Sequence, residues 1–199
     1  MNSSKPAFVH DWLVTWGGGE SVLEAALEVF PQADIYTLIY KQEVFEESPI
    51  SDQTIKSSFI QRLPGSRRNH RIYLPFMPLA VEQFDLRGYE WILSTNHAVA
   101  NGALAQPEQL HLSYIFTPMR YAWGHYYPYL EQSGLSRGLK SIFVRLLLHY
   151  LRIWDYQAAQ RVDHFAAISK WIANNVWRAY RRKAEVIYPP VSVDRFQPA

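Results

Sequence analysis

Apolar positions recur along this chain with two periods, and the switching between them predicts the architecture. Residues 6–10 form a short apolar run ending at His10-Asp11, which reads as a buried first strand. Val22, Leu23, Ala26, Leu27 and Phe30 then recur at helical spacing, with Glu20, Glu24 and Glu28 on the other side. Pro31 ends that helix. Residues 33–40 (ADIYTLIY) are β-branched and aromatic, as a second strand requires. A short third strand is expected at 54–56, and a helical turn at 59–63 that stops at Pro64-Gly65. Residues 70–84 are apolar but interrupted by Pro75 and Pro78, which predicts a kinked or two-piece helix. Later strands are expected at 89–94, 109–116, 163–168 and 185–188. Residues 109–116 (QLHLSYIF) alternate apolar and polar side chains. Helical patterns occupy 137–161 and 170–180, the second with Ser169 as its N-cap. Strands alternating with helices predict an α/β fold with a doubly wound parallel sheet.

Such sheets bind ligands at the carboxyl ends of their strands. His10-Asp11, His97, Thr117, Arg120 and Ser169-Lys170 all follow predicted strands, so the topology gathers them on one edge. The first strand leads into Trp16-Gly17-Gly18-Gly19-Glu20. Three glycines permit positive φ and leave no Cβ in the way of a ligand. Amides of such a loop, backed by a helix N-terminus, suit phosphate or another electron-rich group. A tight turn with no ligand accounts for them equally well, and the spacing is not that of a dinucleotide fingerprint. Arg120 can grip phosphate or carboxylate with two N–H groups, or cover neighbouring aromatics. Tyr121, Trp123, Tyr126, Tyr127 and Tyr129 follow it, suited to stacking on sugars and also to core packing. His10 and His97 are candidates for hydrogen bonds to a hydroxyl or phosphate or for acid–base roles, although a lone strand-end histidine is more often structural. Asp11 could act as a base, hold a hydroxyl or cap the turn.

A length of 199 residues fits one domain or a large part of a two-domain enzyme. Cysteine is absent, which excludes disulfides and thiolate metal sites. The first residues lack the apolar core of a signal peptide, and no run is long enough to span a membrane. The seven histidines have no metal-ligand spacing, so no metal is expected, and no nucleophile triad motif is present. The net charge of +2 is unevenly placed. Residues 1–136 hold nine Lys/Arg and fourteen Asp/Glu; residues 137–183 hold ten Lys/Arg and only Asp155 and Asp163. The helix at 137–161 is apolar round most of its circumference, with Arg145, His149 and Arg152 as a narrow basic stripe. It is therefore either well buried or partly seated in an anionic membrane interface. No nucleic-acid-binding module accompanies the basic residues.

Five segments together resemble the N-terminal half of a retaining, GT-B type glycosyltransferase of family four. They are VHDWL with GGGE at 9–20, LSTNHAVANG at 93–102, TPMRYAW at 117–123, AAISKWIANNV at 166–176 and VIYPPVSVDRF at 186–196. The resemblance implies a Rossmann-like acceptor-side domain over 1–188 and the start of an interdomain linker at 189–199. It implies a nucleotide sugar as co-substrate, no cofactor, and a saccharide or lipid-linked acceptor. An enzyme of polysaccharide biosynthesis in the cytoplasm is expected, and the basic apolar helix adds the option of peripheral contact with an anionic membrane at the inner face of the cell membrane. Asp11, Gly17, Gly18, Gly19, His97, Thr117, Arg120, Tyr121, Ser169 and Lys170 would then face sugar nucleotide or acceptor. The family often carries histidine before the Thr-Pro pair, where this chain has Phe116. Gly124 and Ile168 are further departures from the family pattern.

Overall fold

The computed structural model describes residues 5–124, 130–131 and 138–191. Tyr126, Tyr127 and Tyr129 of the expected aromatic cluster, and most of the expected linker, lie outside those residues.

Seven strands form one parallel sheet: β1 (Ala7–His10), β2 (Asp34–Thr37), β3 (Ile55–Ser57), β4 (Trp91–Asn96), β5 (Leu110–Ile115), β6 (His164–Ala167) and β7 (Ala184–Val186). Their order is β3-β2-β1-β4-β5-β6-β7, so the chain reverses its direction of growth between β1 and β4. The helices are α1 (Gly18–Val29), α2 (Met77–Glu82), α3 (Leu139–Gln160) and α4 (Lys170–Tyr180). The doubly wound α/β architecture expected from the alternating periods is present. Pro75 lies within a 3-10 segment, His70–Phe76, that passes directly into α2. This is the two-piece helix that the prolines predict.

Pairing register shows which side chains share a face. Val9, Ser94, Ser113 and Phe165 stand side by side on one face; Phe8, Leu93, Leu112 and His164 stand on the other. Phe8 packs with Leu23 and Leu27 of α1. Val9 belongs to a core with Ala80 and Val81 of α2 and Leu148 and Leu151 of α3. Phe165 packs with Ile172, Val176 and Tyr180 of α4. Each core removes apolar surface from water, at roughly 25 cal/mol per Å².

The polar side chains of β5 lie inside. His111 and Ser113 are buried, while Leu110 is exposed. The imidazole Nε2 of His111 lies 2.9 Å from Ser94 Oγ, and the hydroxyls of Ser94 and Ser113 donate to Asn101 Oδ1 at 3.2 and 2.6 Å. These bonds offset much of the cost of burial, although His111 Nδ1 and Asn101 Nδ2 are buried without a partner.

Gly102 ends a 3-10 turn, Ala100–Gly102, and lies where α2 and α3 meet. A Cβ there would fall 2.4 Å from Trp154 of α3 and 2.9 Å from Val81 of α2. Trp154 is also fixed by its indole N–H, which donates to Glu82 Oε1 at 2.8 Å. The close approach of the two helices therefore requires glycine. Gly102→Ala is expected to cost about 1–3 kcal/mol from overpacking, read as a fall in the denaturant midpoint with the slope unchanged.

Candidate functional site

All strands run parallel, so their carboxyl ends share one edge, and the predicted residues meet there in two neighbouring groups. The first lies at the β1/β4 crevice. Asp11 follows β1 and is fully buried. Its carboxylate accepts four backbone N–H bonds: His97 and Ala98 to Oδ2 at 2.6 and 2.9 Å, Val99 and Ala100 to Oδ1 at 2.6 and 2.8 Å. Both oxygens are committed, so Asp11 caps the turn after β4 and does not reach a hydroxyl. His97 Nδ1 also stands 3.1 Å from Asp11 Oδ2. Because an ionised carboxylate only accepts, Nδ1 carries the proton. Nε2 is then the acceptor of a neutral ring. Burial pushes the His97 pKa down, against the opposing pull of Asp11. Trp12 packs edge-on against the ring at 4.4 Å between centroids.

The glycine loop closes this group. Gly17 is the N-cap of α1, with φ −166° and ψ −166°, and as a glycine it supplies no capping side chain. The positive φ expected of the glycines does not occur: the backbone is extended at Gly17, and Gly18 and Gly19 are already helical. What the glycines provide is room. A Cβ at Gly19 would touch His10 and Phe116 at 3.6 Å, and one at Gly18 would meet nothing within 4 Å. Glu20, expected on the polar side of α1, is buried. Its carboxylate stands 3.7 Å from His10 Nε2, and His10 Nδ1 pairs with Thr95 Oγ1 at 2.7 Å. Burial pushes the Glu20 pKa up, but the facing His10 ring and the helix amide outweigh it, leaving it below the ordinary carboxylate value.

The second group lines a cavity of about 940 Å³. Phe116, Thr117, Arg120 and Ser169 border it, as do Asn175 and Arg178 of α4. Phe116 belongs to both groups. Ser169 caps α4, its Oγ accepting the Ile172 N–H at 3.2 Å. Asn175 and Arg178 escaped the sequence reading; with Trp171 they follow Ser169 at helical spacing, which is the signal that points to them. Lys170 is exposed and does not line the cavity, and Tyr121 packs against the core.

Trp123 forms part of the cavity wall through Asp155 of α3. The Trp123 indole N–H and the Tyr180 hydroxyl both donate to Asp155 Oδ2 at 2.7 Å. Burial pushes the Asp155 carboxyl up to about 7, although these two hydrogen bonds pull the other way.

The predicted basic stripe on α3 is not a free cationic face. Arg145 and Arg152 are half-buried, Arg145 Nε donating to Ser141 Oγ at 3.1 Å and Arg152 Nε to the Ala122 carbonyl at 2.8 Å. His149 is exposed. Among the described residues no helix is long and apolar enough to cross a membrane, and no cluster of three or more His, Cys, Asp or Glu could hold a metal ion.

No protein-family model matches this chain, and no curated protein matches it. Among solved structures it is similar to the lipopolysaccharide outer core galactosyltransferase WaaB in its apo form, with a TM-score of 0.47 and 14% identity. That match covers 95% of this chain and 46% of the other, so this chain spans less than half of that protein's length.

Two variants test the positioning groups. Asp11→Asn leaves one acceptor oxygen for four amides and is expected to cost roughly 3 kcal/mol or more, read by chemical denaturation. Asp155 has a folded pKa raised from 3.8 to about 7. Its contribution to stability is therefore full below the unfolded value and is lost as pH rises towards 7. Relative to Asp155→Asn, the wild-type chain should lose stability between about pH 4 and pH 7, by about 1 kcal/mol per pH unit at the steepest. Parallel denaturation curves across that range would count against it.

Proposed function

We propose that this chain is the acceptor-side half of a retaining GT-B glycosyltransferase of family four. Together with a donor-binding domain it would transfer a hexose from a UDP- or GDP-sugar to a glycan or lipid-linked saccharide, at the inner face of a cell membrane. The observation that carries this reading is the glycine loop. It places the N-terminus of α1, whose N-cap Gly17 offers no side chain, beside His10 at the end of β1, with open space at Gly18. Amides at a helix N-terminus are donors for anionic oxygen; that of Glu20 is met by its own carboxylate, which leaves those of the glycines before it. Negative charge develops on the leaving diphosphate during sugar transfer, and fixed amide dipoles stabilise it without reorganising. Arg120, exposed on the cavity rim, would add a bidentate contact to phosphate. The Nε2 lone pair of His97 would accept a sugar hydroxyl.

A second reading, a non-catalytic sugar- or nucleotide-binding module of the same fold, is favoured by Phe116. Its ring stands against Gly19, where the family often has histidine, and it can neither give nor take a proton. Joining the chain to a donor-binding domain and assaying transfer separates the two readings.

Gly18→Val is expected to keep the fold, because nothing lies within 4 Å of the new Cβ. It should abolish binding of UDP- and GDP-sugars in calorimetry. Unchanged affinity with a normal circular dichroism spectrum would remove the glycine loop from the site.

A further inference from the structure

Helix α3 meets water with the side that ought to be polar. Ile142, Phe143, Leu146, Tyr150 and Ile153 are each more than half exposed. At 3.6 residues per turn they lie on one arc, opposite the buried Leu148, Leu151 and Asp155. A second apolar group stands beside it. Ile72, Phe76 and Leu79, at the spacing i, i+4, i+7, are also more than half exposed. Both groups belong to the layer covering one sheet face, because α2 and α3 share a core and meet over Gly102. Scattered exposed apolar residues are ordinary; a patch gathered from two elements marks an interaction surface.

Charge identifies the occupant. Residues 53–81 contain no Asp or Glu, and Arg62, Arg67, Arg68 and Arg71 are exposed there. Residues 139–154 also contain no Asp or Glu, and Lys140 and His149 are exposed. Glu82, at the border, is engaged by Trp154 and Arg161. A protein partner surface is ordinarily mixed in sign, whereas an apolar face built from two segments, 53–81 and 139–154, that carry cations and no carboxylate complements an anionic bilayer. Apolar side chains enter the acyl boundary and arginines meet the phosphates.

We propose that the outer side of α2, α3 and the 3-10 segment before α2 docks on an anionic lipid bilayer. This deepens the reading of a lipid-linked acceptor, on which its purpose rests. The apolar arc supplies the insertion, and the arginines of residues 62–71 supply the charge. The expected Arg145–His149–Arg152 stripe is only its border.

The full chain should co-sediment with phosphatidylcholine vesicles containing phosphatidylglycerol, less with phosphatidylcholine alone, and less as salt rises. Leu146→Asp and Phe76→Asp should each weaken binding about tenfold. Val29→Asp, an exposed position on α1 across the sheet, should not. The chain has no cysteine, so Phe143→Cys carries a single environment-sensitive dye, whose emission should shift to the blue on vesicle addition. The proposal is overturned by absence of vesicle binding at low salt, or by wild-type binding of both aspartate variants. It is also overturned by a dimer in lipid-free buffer that Leu146→Asp dissolves, because a second copy would then cover the face. Vesicle binding is read without nucleotide sugar and sugar binding without vesicles, so either reading can fail alone.

Discussion

The interaction on which the rest depends is the grip of one buried carboxylate on four consecutive amides. A carboxylate out of water is costly unless its lone pairs are met. Asp11 meets that cost with the N–H groups of residues 97–100, which would otherwise be unpaired donors at a buried turn. The consequences run in two directions. Towards the strand tips, the grip fixes the His97 ring and its tautomer. Towards the core, it sets the 3-10 turn that holds Gly102 against α2 and α3. Packing of the helical layer and geometry of the crevice are thus joined through one side chain.

The order and type of elements were legible because period is a local property. Residues 170–180 form the helix that Ser169 was expected to cap, and Pro75 breaks the 70–84 segment where its missing N–H predicts. What period cannot give is which face is covered. Along β5 the alternation was plain, yet His111 and Ser113 point into the core, because Ser94 and Asn101 supply partners there. On α3 the same ambiguity concerned which arc is buried. Asp155 lies on the inward side, held by Trp123 and Tyr180, and the apolar arc is left outside. A charged residue on a helix usually marks the wet side; here two distant donors reverse that.

The candidate site was half legible. Convergence of the strand tips follows from parallel topology alone, so Thr117, Arg120 and Ser169 were expected together and line one cavity. The approach of Glu20 to His10 was hidden, because a first-turn glutamate is already explained by the helix dipole. The glycines were read for conformational freedom, but they provide space: Gly19 admits His10 and Phe116, and Gly18 leaves the helix end open. Phe116 then has a physical role without acid–base chemistry. Its apolar ring lines the α4 cavity and stands 6.4 Å from the His97 ring between centroids, so it borders both groups.

The sheet also explains how a lipid-borne acceptor and a soluble nucleotide could be served together. Helices that cover a sheet face present their outer side along the sheet normal, whereas strand tips point along the strands. The proposed bilayer surface on α2 and α3 is therefore roughly perpendicular to the edge that carries Gly18, His97 and Arg120. Docking on that surface would leave the edge open to water, from which the proposed nucleotide sugar would arrive. It would also bring the rim of the edge near the headgroup level, within reach of the proposed lipid-linked saccharide. A site facing the bilayer directly would exclude the soluble reactant, and a site on the opposite edge would be out of reach of the lipid. The perpendicular arrangement avoids both, and it follows from having the helix layer and the strand tips on one parallel sheet.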